Sequence, residues 1–334
     1  MFEPPFKTVL KPYGQALVEL AATRPDVLCL SGDLTKQCEI DLFQEKIPER
    51  FIHAGMAEAN MMSMAGALAR QGFLPFVHTF GVFATRRPFD QIANAIAYPN
   101  LPVRIVGFMP GLSSPGGPSH QAIDDVALMR ALPNMTVIDV ADAQQTRSVL
   151  PAVVDHPGPV YLRLKRGEIP TIFEPDRPFS LQHAEVLGTG DEVLLISSGM
   201  MLPATLQAAA TLREAGIATA VLNVPVIKPL DRDGILRAAG SVDAIVTVEN
   251  HSVIGGLGSA VAEAVAEAGL GVPLRRIGVP DTFAEGARRA PYLFEKYGLT
   301  TQHILDAAWS ALGRGGTAPR ARAIAAEDGE YAPV

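Results

Sequence analysis

Three short segments carry the residue types that proton transfer and aromatic-ring binding require. In the first, Phe51-Ile-His-Ala-Gly55-Met-Ala-Glu58, a short strand enters a glycine turn and a helix starts near Ala57. Glu58 therefore falls in the first helical turn, where a carboxylate gains roughly a few tenths of a kcal/mol from the helix dipole. Capping alone would explain it. The helix that follows, however, is almost wholly apolar (Ala59-Asn-Met-Met-Ser-Met-Ala-Gly66), so it should be buried. A lone acid at its mouth is expensive without a partner. In the second segment, Phe76-Val-His-Thr79-Phe80-Gly81-Val-Phe83-Ala-Thr-Arg86-Arg87, a strand ends in aromatics and a helix begins with two arginines. Phe80 and Phe83 suit either core packing or the face of a flat ligand, and the arginines suit solvent. The third, Gly117-Pro118-Ser119-His120-Gln121, presents a histidine on a loop, either an acid–base group or an ordinary surface residue.

The elements that must position these residues alternate strand and helix. Apolar runs at 27–30, 73–80, 103–107, 135–140 and 161–164 read as buried parallel strands. Helical spacing of apolar positions marks 12–23, 57–71, 85–98 and 142–155. Three prolines and little periodicity mark 169–178 as a linker. A second run follows, with strands at 192–197, 218–223, 244–249 and 274–277 and helices near 201–215, 255–268 and 300–312. From Gly313 the chain is rich in Gly, Ala, Pro and Arg, which predicts a flexible tail over 313–334. The fold class is α/β, two doubly wound domains over 1–178 and 179–312. Ligands of such sheets gather at the C-terminal ends of strands, where Glu58, Phe83 and His120 all fall.

Bulk composition removes several function classes. Of the 334 residues 48% are hydrophobic, and the formal net charge of −7 argues against a nucleic-acid partner, whose phosphates are bound mainly by Lys and Arg. A mean hydropathy of +0.19 implies surface buried against another chain. The two cysteines, Cys29 and Cys38, cannot build a disulfide framework or a metal cluster, so a reducing cytoplasm is expected. The N-terminus has no apolar signal core, and no run approaches about 20 apolar residues, so no membrane association is expected.

Taken in order, Gly55-Met-Ala-Glu58, Thr79-Phe80-x-x-Phe83 and Gly117-Pro118-Ser119-His120-Gln121 resemble the pyrimidine-binding domain of transketolases. Leu187-Gly-Thr-Gly-Asp-Glu, Ser198-Gly199, Lys228-Pro-Leu-Asp231 and Val248-Glu-Asn-His251 with Gly255-Gly-Leu-Gly258 resemble the transketolase C-terminal domain. The resemblance covers roughly residues 10–312. It implies that Glu58 hydrogen-bonds N1′ of the thiamine diphosphate aminopyrimidine, favouring the tautomer that deprotonates the thiazolium C2. It further implies that Phe83 stacks on that ring with Phe80 beside it, and that His120 reaches the reacting carbonyl or hydroxyls of a sugar. By the same resemblance Arg166 grips a sugar phosphate, and Lys11 matches another basic position; both residue types suit such anions.

Family members hold Mg²⁺ and the cofactor diphosphate through Gly-Asp-Gly followed by a distant Asn. Here only Ser31-Gly-Asp33-Leu and Gly190-Asp191-Glu come near that pattern. The resemblance therefore implies the C-terminal subunit of a split transketolase. A separate N-terminal subunit would bring the diphosphate and Mg²⁺ site, the Mg²⁺ ligands included, most plausibly in a two-fold α₂β₂ heterotetramer. The implied activity moves a two-carbon ketol unit from a phosphorylated ketose to an aldose. Transketolases usually carry an acidic residue shortly before the histidine; Leu112-Ser-Ser-Pro115-Gly116-Gly117-Pro118-Ser119 has none, so a donor other than the common pentulose phosphate is expected. Rival readings are the β subunit of a 2-oxo-acid dehydrogenase E1 component and a non-catalytic binding or regulatory subunit. A dinucleotide oxidoreductase lacks its phosphate fingerprint here; Gly255, Gly256 and Gly258 read as close backbone packing, and His251 as structural.

Overall fold

The computed structural model describes residues 6–321. Its first half contains β1 (Thr8–Leu10), β2 (Val27–Ser31), β3 (Phe51–His53), β4 (Leu74–Phe80), β5 (Arg104–Phe108), β6 (Thr136–Asp139), β7 (Val160–Leu164) and β8 (Glu168–Pro170). The second half adds β9 (Glu185–Gly188), β10 (Val193–Ser197), β11 (Thr219–Asn223), β12 (Val226–Lys228), β13 (Ala244–Ser252) and β14 (Leu274–Val279).

β2, β4, β5 and β7 are buried along their whole length, as expected of parallel strands covered on both faces. Alternate residues go to opposite layers. Leu28 and Leu30 pack with Met61, Met62, Ile92 and Met129. Val27 and Cys29 pack with Tyr13, Leu17, Phe43 and Leu150. The main sheet runs β12-β6-β7-β5-β4-β2-β3, parallel except where β12 joins β6 antiparallel. The smaller sheet runs β14-β13-β10-β11-β9, with only β9 antiparallel. The doubly wound α/β reading of both halves is therefore correct.

Three expectations need correction. The helix expected over 85–98 begins instead at Gly81, stops at Thr85, and resumes as Phe89–Gln91 and a π-helical Ile92–Ala97. Pro88 has no N–H to donate into the preceding turn, which breaks the helix there. The linker expected at 169–178 is tied down: β8 pairs antiparallel with β1, and the buried Asp142 carboxylate accepts from both Ile172 N and Phe173 N. The expected flexible tail is docked over its first nine residues. Arg314 reaches Glu192 and Ala321 N donates to Gln302 Oε1; the rest of that tail lies outside the described residues.

The second half lends a strand to the first, β12 pairing with β6, which no local pattern signals. Through β12 one sheet spans both halves, and a single apolar cluster continues from Leu30 to Ile196, Leu222 and Ile245.

Candidate active site

The C-terminal edge of the main sheet brings Glu58, Phe80, Phe83 and His120 together. β3 delivers the chain to Gly55, whose φ of +72° permits the turn that starts helix Glu58–Arg70. Glu58 is 4% exposed. β4 delivers Phe80, and the short helix that follows places Phe83 nearly parallel to it, with ring centroids 6.2 Å apart and planes 13° apart. His120 meets Phe83 edge-on at 5.2 Å, with Nδ1 at 2.9 Å from Ser119 Oγ. Gly116 leaves room for this histidine, since a Cβ there would press on the His120 ring.

Arg87, which sequence reasoning assigned to solvent, completes the cluster. Its Nη1 donates to both Glu58 oxygens, at 3.1 and 3.2 Å, and its guanidinium lies over the Phe83 ring with Cζ 4.6 Å from the centroid. Arg87 lies in the turn between the helix that holds Phe83, which ends at Thr85, and the one that starts at Phe89, so no helical spacing announces the contact. Arg86 turns the other way and holds the histidine loop. It donates to Asp124, to Pro118 O and to Gln121 O.

That loop is shaped from the second domain. The Asn250 side chain accepts from Leu112 N at 2.9 Å and donates to Pro110 O at 2.9 Å, while Gly111 (φ +52°) lets the chains meet closely. Gln121 Nε2 donates to Ser114 O and Glu285 O, and Ala287 N donates to Pro115 O. Behind the loop lies Arg163, fully buried, which donates to Asp125, Asp139, Ala122 O and Asn250 O. Burial alone would raise the Asp125 carboxyl, but Arg163 and His251 hold it below its ordinary value. No local sequence signal connects Asn250 to residues some 140 positions earlier.

Arg166 and Lys11 gather around the buried Glu39, and among the described residues neither is hydrogen-bonded to His120. Lys11 pairs with Asp41 at 3.6 Å, and its N–H donates to Gly167 O. The charge of Arg166 acts on Glu39, whose Oε1 accepts from Gly167 N. Glu39 is 3% exposed and burial pushes its carboxyl up to about 7. The glycines at 255–258 hold no open cradle. Glu249 already accepts from Leu257 N and Gly258 N, filling the helix N-terminus with the chain's own carboxylate.

Comparison with known proteins shows the family. The family model for the transketolase pyrimidine binding domain matches residues 7–171, and that for the transketolase C-terminal domain matches residues 182–304. A protein of Sinorhizobium fredii described as a putative uncharacterized transketolase family protein is 44% identical over 88% of this chain and 86% of its own. A Clostridium protein named 6-deoxy-6-sulfo-D-fructose transketolase subunit is 41% identical over 89% of this chain and 92% of its own. A solved structure described as a split gene transketolase, inactive beta4 tetramer, superposes with a TM-score of 0.85. It is 42% identical, over 92% of this chain and 99% of the other. No helix among the described residues is long and apolar enough to cross a membrane.

Proposed function

Because this chain belongs to the transketolase family, as a split subunit holding its pyrimidine-binding and C-terminal domains, we propose that it transfers a two-carbon ketol unit from a ketose to an aldose together with an N-terminal subunit. Transketolase-type domains imply dependence on thiamine diphosphate. The observation that carries the reading is the Glu58–Arg87–Phe83 stack. A planar, delocalised N–H donor already lies on the Phe83 face and donates to a buried carboxylate. An aminopyrimidine is also planar and, when protonated at its ring nitrogen, also donates, so the residues present fit that group.

In this reading Glu58 holds a proton at N1′ of the aminopyrimidine, and burial at 4% exposure keeps competing water away. Phe83 and Phe80 fix the depth of the ring. When bound, thiamine diphosphate supplies the carbon nucleophile and the electron sink. His120, against the edge of Phe83, stands where it can exchange a proton with a donor hydroxyl or carbonyl. Arg166 and Lys11 receive the anionic end of a phosphorylated or otherwise acidic sugar. The uncharged Ser113–Gly117 backbone, with both serines buried, favours a donor whose hydroxyl pattern differs from that of the common pentulose phosphate. Mg²⁺ and the diphosphate are held by the partner subunit, in an α₂β₂ assembly.

The test is Glu58→Gln in the chain co-purified with its N-terminal subunit. Donor-dependent turnover should fall by at least about a thousandfold, with the unfolding midpoint nearly kept. Retained turnover would remove Glu58 from the chemistry, and ketol transfer by this chain alone would refute the split assignment.

A further inference from the structure

We propose that Arg87 occupies the aminopyrimidine position of this chain when the cofactor is absent, and so sets cofactor affinity by competing with it for Glu58 and Phe83. The inference rests on the function proposed above and concerns a residue to which that function assigns no role.

The two contacts Arg87 makes are the two that the bound ring requires. Its Nη1 takes both oxygens of Glu58, and its guanidinium plane covers the face of Phe83. Both sets of partners cannot be satisfied at once, because one ring face and one carboxylate are involved. Glu58 is buried, so it needs a donor whether or not the cofactor is present, and leaving it bare would be costly. Arg87 is 56% exposed, so it can leave for water at small cost. The asymmetry suits exchange: the carboxylate stays and the cation swings.

Local structure leaves this side chain free to move. Among the described residues Glu58 is its sole hydrogen-bond partner, whereas its neighbour Arg86 is anchored to Asp124 and to two carbonyls of the histidine loop. Pro88 interrupts the helix directly after it. Arg87 therefore sits at a break, with a long flexible stem and one set of contacts to lose. Arginine also matches the task better than lysine, since its planar guanidinium covers the aromatic face while Nη1 reaches both carboxylate oxygens.

The experiment uses the assembled two-subunit protein, with thiamine diphosphate and Mg²⁺ titrated in a calorimeter. Arg87→Ala should bind the cofactor about tenfold more tightly than wild type, ~1.4 kcal/mol. Arg87→Lys, which keeps the cation but not the planar face, should fall between. Without cofactor the Ala variant should unfold at a lower temperature, and its stabilisation by saturating cofactor should exceed that of wild type. A structural role alone would lower the first temperature and leave affinity unchanged. Unchanged or weaker binding by the Ala and Lys variants therefore overturns the proposal; the Lys variant decides the matter if the Ala variant does not fold. Glu58→Gln separates the two levels of inference. If it weakens binding while the Arg87 variants do nothing, only the competition is refuted. If it too leaves affinity unchanged, Glu58 does not hold the cofactor and the functional reading fails with it.

Discussion

Replacing Asn250 by alanine tests whether the second domain shapes the loop that carries His120. The side chain is 1% exposed and bridges two main-chain groups of the loop's first turn, Leu112 N and Pro110 O. Truncation affects them unequally. Pro110 O keeps the Ser113 hydroxyl and N–H as donors, so its loss is that of one ordinary bond, about 1 kcal/mol. Leu112 N is left as a buried donor without a partner, which costs about 1–3 kcal/mol. The expected destabilisation is therefore about 2–4 kcal/mol, read as a lower urea midpoint at an unchanged slope. Asn250 O, which accepts from Arg163, is untouched by the change, so the domain contact persists. Because the loop loses its anchor, the KM for the ketose donor should rise. Cofactor affinity should stay put, since Glu58 and Phe83 hang from β3 and β4, which Asn250 does not touch. A stability change under about 1 kcal/mol, or an equal fall in cofactor affinity, would refute this account.

Two further outcomes are expected. Burial raises Glu39 from 4.5 to about 7, with Gly167 N–H and the charges of Lys11 and Arg166 pulling the other way. The folded state thus holds this proton more tightly than the unfolded chain, so the stabilising contribution is complete below about pH 4.5 and is lost as pH rises through 7. Glu39→Gln should accordingly gain on wild type by about 2–3 kcal/mol between pH 5 and 8 in urea titrations; parallel profiles would exclude it. Arg86→Ala should raise the donor KM severalfold at unaltered cofactor affinity, because its contacts go to Asp124 and the histidine loop. Steady-state kinetics with varied donor, then varied cofactor, would separate the two effects.

Legibility from sequence followed the range of the interactions. β2, β4, β5 and β7 could be read because burial on both faces writes a continuous apolar run. Glu58, Phe80, Phe83 and His120 were singled out through the resemblance in motif order, since each taken alone suits capping, core packing or an ordinary loop, and the fold brings the four together. Arg87 could not be read because it lies in the turn between helices Gly81–Thr85 and Phe89–Gln91, where no period says which side chains face inward. β12 was missed for a different reason: three residues, Val226–Lys228, pair with a strand nearly ninety positions earlier, and their pattern alone does not say which sheet they join. The Asn250 and Glu39 contacts belong to the same class. Each polar side chain meets backbone more than a hundred residues away, and nothing in its own neighbourhood records that partner.

These long-range contacts also decide what can move. β12 makes both halves share one sheet, and Arg163 ties Asp125 and Asp139 of the first half to Asn250 of the second. Ser198 adds a hydrogen bond to Asp139 across the same boundary. Hinge motion between the halves would break a strand pair and expose a buried ionic network together, losses that reinforce one another. The histidine loop is pinned from Asn250, Glu285 and Arg86, so it inherits that rigidity. Within the Glu58–Phe83–His120 cluster the charged group held least is Arg87, half exposed and hydrogen-bonded to Glu58 alone. Rearrangement on cofactor binding should therefore be confined to this side chain, while the positions of Glu58, Phe83 and His120 are set before any ligand arrives. Such preorganisation places the ordering cost in folding rather than in each turnover.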